Sequence, residues 1–100
     1  MRVLIAGCGD VGSALGCLLA DAGHHVYGLR RTSDHLPKKI EPVVADLGEP
    51  ESLLDIPSDI DLLYYTAAAT ERNEAGYRKA YVDGVRNIVG QCLRLSPKLR

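Results

Sequence analysis

Apolar residues near the start of the chain fall into two short runs separated by a helical pattern. The runs cover residues 3–6 and 26–29, and the first is apolar throughout, which favours a parallel strand covered on both faces. Between them, apolar residues recur every three or four positions until Gly23, a residue suited to the left-handed end of a helix. The pattern therefore predicts strand, helix, strand. The positions that form this helical pattern are Val11, Ala14, Leu15, Leu18, Leu19 and Ala22.

Two further apolar runs predict a third strand at residues 43–45 and a fourth at residues 62–66. Residues 34–42 contain two prolines and no clear period, so we expect a short helix or a loop there instead of a regular crossover helix. Pro50 fits the first turn of another short helix.

The last predicted element is an amphipathic helix from about Gly76 to Leu95. Its charged residues occupy one face, and its apolar residues recur at three to four positions on the other. We expect this apolar face to pack on the sheet. The residues assigned to it are Tyr77, Tyr81, Val85, Ile88, Cys92 and Leu95.

Three glycines, Gly7, Gly9 and Gly12, stand between the first strand and the first helix in G-x-G-x-x-G spacing. In a strand–turn–helix context this motif is typical of a dinucleotide-binding Rossmann fold, in which a pyrophosphate lies at the helix N-terminus. A glycine-rich turn in another α/β protein is the alternative, but it leaves the third glycine unexplained. The motif predicts cofactor contacts from Gly7, Cys8, Gly9, Asp10, Val11 and Gly12. Asp10 is also a plausible N-cap or first-turn acid.

The residues after the second strand bear on which dinucleotide would bind. An NAD-binding protein usually carries Asp or Glu there to hold the ribose 2′-hydroxyl, whereas this chain has Arg30 and Arg31. Two guanidinium groups match a 2′-phosphate through charge-assisted hydrogen bonds. NADP(H) is therefore favoured over NAD(H), although NAD remains possible. The alternative is a pair of solvated loop arginines.

Two other strand ends provide candidate cofactor contacts. Asp46 and Leu47 follow the third strand, where they could reach the adenine edge, and the plainer role for Asp46 is to cap the following turn. Thr66, Ala67 and Ala68 follow the fourth strand, where small side chains leave room for the ribose and nicotinamide.

The amino-acid composition mainly serves to exclude other classes of protein and site. One hundred residues with 46% apolar content suit a single small domain, and a net charge of −1 gives no general attraction to nucleic acid or anionic membranes. No apolar run approaches the roughly 20 residues of a membrane-spanning helix, and the start is too short for a signal peptide, so we expect a soluble, cytoplasmic protein. Cys8, Cys17 and Cys92 form no metal-binding or disulfide pattern, so no metal site is predicted.

With these residues identified, the chain resembles the amino-terminal half of NAD(P)-dependent epimerases and dehydratases of the extended or atypical short-chain dehydrogenase/reductase superfamily. The stretches that carry the likeness are residues 7–12, 65–68 and 80–87, the last being similar to the family's N-V-x-G-T-x-N helix signature. The resemblance implies a Rossmann-type, doubly wound parallel sheet of order 3-2-1-4. Residues 1–100 would then be a cofactor-binding domain that stops before the fifth strand of a longer enzyme.

The chain also departs from the family pattern. Its glycine spacing is that of the atypical members, and Tyr81 stands where the helix signature has its first Asn. The family's general acid is the tyrosine of a Y-x-x-x-K motif, but none of the five tyrosines here has a lysine four residues later. No catalytic residue is therefore assigned. A small-molecule substrate is expected only if a carboxyl-terminal part exists.

Two other functions remain open. The chain could be a nucleotide-sensing Rossmann module without chemistry, although such modules typically keep the acid after the second strand. It could also be the cofactor domain of a hydroxyacid or imine dehydrogenase. Because the predicted last strand is exposed, a homodimer is a further possibility.

Overall fold

The strands of the computed structural model are β1 (Arg2–Ala6), β2 (His25–Arg30), β3 (Glu41–Val44) and β4 (Leu62–Tyr65). The structure describes residues 1–32, 36–67 and 73–96. All four strands are parallel and lie in the order β3-β2-β1-β4. The predicted fold class and strand order are therefore confirmed. Because the strands are parallel, their carboxyl ends meet at one edge of the sheet.

The helices are α1 (Asp10–Asp21), a 3₁₀ helix (Pro50–Leu53), α2 (Glu74–Arg78) and α3 (Gly84–Leu95), with a π-helical turn (Lys79–Asp83) joining α2 to α3. The predicted last helix is thus present and begins two residues early. The π turn was not predicted, because the repeat of apolar residues does not indicate a single inserted residue. No helix in the described ranges is long and apolar enough to cross a membrane.

Helices cover both faces of the sheet, as a doubly wound fold requires. On one face Leu4 and Ala6 of β1 pack with Ile88 and Cys92 of α3. On the other face Val3 and Ile5 lie in a cluster to which α1 contributes. This alternation explains why β1 is apolar throughout.

The apolar stripe of α1 coincides only in part with the face that packs on the sheet. Val11 is 74% exposed and Leu18 is 71% exposed, whereas Gly12 and Gly16 are buried against the sheet. The glycines let the helix axis approach closely: a Cβ on Gly16 would stand 2.5 Å from Cδ1 of Ile40. The periodicity of apolar residues therefore indicated a face rotated away from the true one. Ala14 and Ala22 are also exposed, and Leu15 and Leu19 are half-buried.

Ile40, in the connection between β2 and β3, packs against both α1 and β2. Its side chain is buried between Gly16 and Gly28, and a Cβ on Gly28 would stand 2.8 Å from Cγ2 of Ile40. The described residues of the connection, 36–40, form a turn and no helix. The expectation of a loop or short helix holds for these residues.

Two further expectations need correction. β3 begins at Glu41, two residues before the prediction, and ends before Ala45. Tyr81 was assigned to the apolar face of the last helix, but it lies in the π turn and is 53% exposed. A π turn adds a residue to the helical repeat and so rotates the side chains within it away from the stripe that continues in α3.

Candidate dinucleotide site at the glycine turn

The turn between β1 and α1 is bonded directly to the end of β2. The backbone amides of Gly7 and Cys8 both donate to the carbonyl oxygen of Leu29, at 3.0 and 2.9 Å. The amide of Gly9 donates back to the Gly7 carbonyl at 2.8 Å. Gly7 has a φ of +77°, a conformation that favours glycine. The shape of the turn is thus set by its backbone.

The end of β4 lies against the same turn. The hydroxyl of Thr66 donates to the Gly7 carbonyl at 2.9 Å, and its amide donates to the carbonyl of Ala6 at 2.9 Å. A Cβ on Gly7 would overlap the backbone of Ala67. Gly7 is therefore required both by its φ and by the close approach of β4.

Gly12 and Gly9 differ in what surrounds them. A Cβ on Gly12 would stand 2.7 Å from Oγ1 of Thr66 and 3.0 Å from Cγ2 of Ile5, so this glycine allows α1 to pack on the sheet. A Cβ on Gly9 would meet no atom of the described residues within 4 Å, and the φ of Gly9 is −89°. Neither packing among the described residues nor a positive φ explains why position 9 is a glycine.

The amino terminus of α1 opens beside Gly9. Gly9 is the N-cap and no side chain caps the helix; Asp10 is exposed in the first turn, so it is the first-turn acid and not the N-cap. The first amides of a helix have no intrahelical acceptor and form the positive end of the helix dipole. Together with Gly9, these amides form a backbone surface suited to an anionic group such as a pyrophosphate.

The side chain of Cys8 turns away from this surface. It is fully buried, and its Sγ would lie 2.9 Å from a Cβ on Gly28. Burial raises the pKa of the Cys8 thiol, opposed by the hydrogen bond to Ser13 and by the charge of Arg30. Only the backbone of Cys8 is therefore available to a ligand, and its thiol is not a reactive group.

The two arginines stand at the same edge of the sheet as the glycine turn. Arg30 is the last residue of β2 and is half-buried, and Arg31 follows it and is exposed. Arg30 lies close enough to the Cys8 thiol for its charge to act on it. The structure therefore brings one of the predicted guanidinium groups close to the glycine motif.

Asp46 and Leu47 lie in a tightly bonded loop after β3. Oδ1 of Asp46 accepts a hydrogen bond from the amide of Gly48 at 2.9 Å, and its carbonyl accepts one from Glu49 at 3.0 Å. The turn-capping role suggested for Asp46 is therefore present. Sequence reasoning missed Asn87, whose Nδ2 donates to the Leu47 carbonyl at 2.8 Å. Its position at the end of the helix signature was the available signal.

Thr66 and Ala67 extend beyond β4 to the glycine turn, as described above. Ala68, the third small residue predicted there, lies outside the described residues. The predicted residues that the structure describes thus gather at the carboxyl ends of β1, β2, β3 and β4.

Comparison with solved structures finds relatives with the same architecture. The chain is similar to a proposed NAD-dependent epimerase/dehydratase from Methylobacillus flagellatus, with 33% identity over 98% of this chain and 34% of that one, and a TM-score of 0.75. It is also similar to vestitone reductase from alfalfa, with 25% identity over 98% of this chain and 33% of that one, and a TM-score of 0.71. The resemblance to epimerase/dehydratase-type short-chain dehydrogenases is confirmed.

A third structure supports the fold alone. It is a short-chain dehydrogenase/reductase superfamily protein from Agrobacterium tumefaciens with bound NAD, 21% identical over 100% of this chain and 30% of that one, with a TM-score of 0.80. The chain thus spans about a third of the length of each of these proteins. The family model for ketopantoate reductase PanE/ApbA matches residues 3–42. No curated protein sequence matches the chain.

Proposed function

We propose that residues 1–100 are the NADP(H)-binding part of an NAD(P)-dependent epimerase, dehydratase or reductase. Its substrate would be a nucleotide sugar or another small carbonyl or alcohol compound. Gly9 is the observation that carries this proposal. It is the one glycine of the motif whose missing side chain is explained neither by φ nor by a described neighbour. A pyrophosphate against the backbone of Gly9 and the first amides of α1 supplies the explanation.

The adenine end of the cofactor has matching groups in the loop after β3. Among the bonds of the described residues, neither the Leu47 amide nor Oδ2 of Asp46 has a protein partner. A free donor beside a free acceptor complements the Watson–Crick edge of adenine, which offers an acceptor at N1 and a donor at the 6-amino group. Arg30 and Arg31 would bind the 2′-phosphate.

The chain's own contribution to chemistry is to bind and orient the cofactor. A bound nicotinamide dinucleotide supplies hydride transfer, and the protein must position it and exclude competing reactions. Thr66 and Ala67 lie where small residues leave room for the nicotinamide end. A group that moves the substrate proton is not assigned to any residue of this chain.

Calorimetric titration of the chain with NADPH and NADH tests the proposal. We expect NADPH to bind with a Kd at least about tenfold lower than that of NADH, which corresponds to about 1.4 kcal/mol. Absence of binding by both cofactors would contradict the proposed function. Equal affinity would contradict only the assignment of the two arginines. A preference for NADH would also contradict the NADP(H) assignment and would favour a nucleotide-sensing module.

A second candidate is the cofactor domain of a hydroxyacid dehydrogenase, which the ketopantoate reductase match to residues 3–42 favours. That match ends before the Asp46 loop and before α3, whereas the solved epimerase/dehydratase aligns with 98% of the chain. Because a substrate is expected only with a carboxyl-terminal part, NADPH titrations of a protein that includes such a part, with ketopantoate and with a nucleotide sugar, separate the two candidates. Tighter NADPH binding caused by ketopantoate alone would favour the second candidate.

A further inference from the structure

Two side-chain amides of α3 bond to the segment that connects β3 to β4. Nδ2 of Asn87 donates to the carbonyl of Leu47 at 2.8 Å, and one helical turn later Nε2 of Gln91 donates to the carbonyl of Leu54 at 3.4 Å. The first bond is shorter and partly buried, and the second is exposed. Only the first reaches the loop at the carboxyl end of β3.

The loop at residues 46–49 is held in shape by bonds of its own. The hydroxyl of Ser52 accepts from the amide of Asp46 at 2.9 Å and lies 2.8 Å from the carbonyls of both Asp46 and Glu49. Together with the bond between Gly48 and Asp46, these contacts fix the shape of the loop. These bonds lie within the loop and the adjacent 3₁₀ helix. Contact with the rest of the fold comes from the Leu47 side chain, which packs against the core, and from a hydrogen bond to the Leu47 carbonyl.

Asn87 supplies a connection between the loop and the core. Its neighbours on α3, Gly84 and Ile88, are buried, and Ile88 packs with Leu4 of β1. The rotation of α3 is therefore fixed by packing, and the Asn87 amide is held in position before any ligand binds. Removing it would leave the partly buried Leu47 carbonyl without its donor, which favours movement of the loop towards water.

We propose that Asn87 is a positioning residue for recognition of the adenine base, acting through Leu47. The inference rests on the proposed dinucleotide site and adds a role for a residue that contacts no cofactor. By holding the Leu47 carbonyl, Asn87 keeps the Leu47 amide and the Asp46 carboxylate together in the arrangement that matches adenine. Loss of this bond weakens discrimination of the base more than it weakens binding of the phosphates, which the glycine turn provides.

The test compares NADPH with its hypoxanthine analogue, in which an oxygen replaces the 6-amino group and N1 carries a proton. The donor and acceptor of the base edge are thereby exchanged. We expect the wild-type chain to bind NADPH about tenfold more tightly than the analogue. Asn87→Ala should bring this ratio close to one, whereas Gln91→Ala, the matched truncation one turn later, should leave it unchanged.

The ratio of the Kd of the analogue to the Kd of NADPH separates loss of positioning from general loss of structure, because a destabilised fold weakens the binding of both ligands alike. Asn87→Ser provides a second variant should Asn87→Ala fail to fold, and thermal unfolding of each variant checks this. A full base preference retained in the folded Asn87 variant would overturn the inference. Equal binding of both ligands by the wild type would also overturn the inference, but it would leave the proposed function standing. Absence of NADPH binding by the wild type would instead refute the proposed function.

Discussion

The hydroxyl of Thr66 donates a 2.9 Å hydrogen bond to the carbonyl oxygen of Gly7. This bond joins the end of β4 to the turn at which β1 gives way to α1. The Gly7 carbonyl oxygen also accepts a hydrogen bond from the amide of Gly9. The same oxygen therefore bonds both to the end of β4 and to Gly9 at the amino terminus of α1. The pyrophosphate surface proposed at Gly9 therefore depends on Thr66, which lies far along the chain at the end of β4.

Thr66→Val should lower both stability and cofactor affinity. Valine keeps the shape of threonine but removes the donor, and we expect the free energy of unfolding to fall by about 1 kcal/mol. The Kd for NADPH should rise several-fold because the turn is held less firmly. Denaturant unfolding and calorimetry provide the two measurements. Thr66→Ser keeps the hydroxyl and should retain most of the affinity; equal losses in both variants would contradict a role for the bond.

Replacing Arg30 and Arg31 together with alanine should weaken NADPH binding by about 1–3 kcal/mol and leave NADH binding nearly unchanged. The difference arises because only NADPH carries the 2′-phosphate. Titrations of the variant with both cofactors measure it. Equal weakening of both cofactors, or weakening of neither, would show that the arginines do not bind that phosphate.

Gly12→Ala should destabilise the fold by about 1–3 kcal/mol, because its Cβ would press on Thr66 and Ile5. The double variant Gly12→Ala/Thr66→Ala removes the 2.7 Å contact and should show less than the sum of the two single losses. Chemical denaturation of the four proteins measures this coupling. Additive losses would mean that the helix moves to accommodate the methyl group without pressing on Thr66.

The thiol of Cys92 should make stability depend on pH in alkaline solution. Burial raises its pKa to about 11 from an ordinary value of 9.0, so the folded chain keeps a proton that the unfolded chain releases. The contribution of this thiol to the free energy of unfolding is fully present below pH 9 and is lost as the pH rises towards 11. The total loss should be on the order of 2–3 kcal/mol.

Comparison with Cys92→Ala isolates this contribution, since other groups also titrate in the same range. Unfolding free energies measured at intervals from pH 8 to about 11 should fall less steeply in the variant. Parallel pH profiles for the two proteins would contradict the assigned cause.

The sheet could be predicted from sequence because its signals are local. Each strand contains a short apolar run, although β3 begins with Glu41 and Pro42. The glycine spacing indicated the fold and the location of the candidate site, and the family resemblance implied the strand order. Helix faces were harder to predict. Val11 and Leu18 look like core residues, but the face of α1 that packs on the sheet is the one with the least side-chain volume, at Gly12 and Gly16. Hydrophobicity alone therefore indicated the wrong rotation.

Other features depend on contacts between distant parts of the chain. Gly28 lies in an apolar run and gave no sign that its missing side chain makes room for Ile40 and Cys8. The bond between Asn87 and Leu47 spans 40 residues, and the helix signature that marks Asn87 does not indicate its partner. Such pairings become visible only when the elements are placed together, so the residues that support the site were less predictable than those that form its surface.

We propose that a ligand, and not a described neighbour, requires glycine at position 9. The most direct measurement is the calorimetric affinity for NADPH of Gly9→Ala beside the wild type, with the melting temperature of each recorded. We expect only the small fall in melting temperature that alanine causes at a helix N-cap, because the new methyl group meets no described atom within 4 Å, and an affinity at least about tenfold weaker. Unchanged NADPH affinity in the folded variant would contradict it.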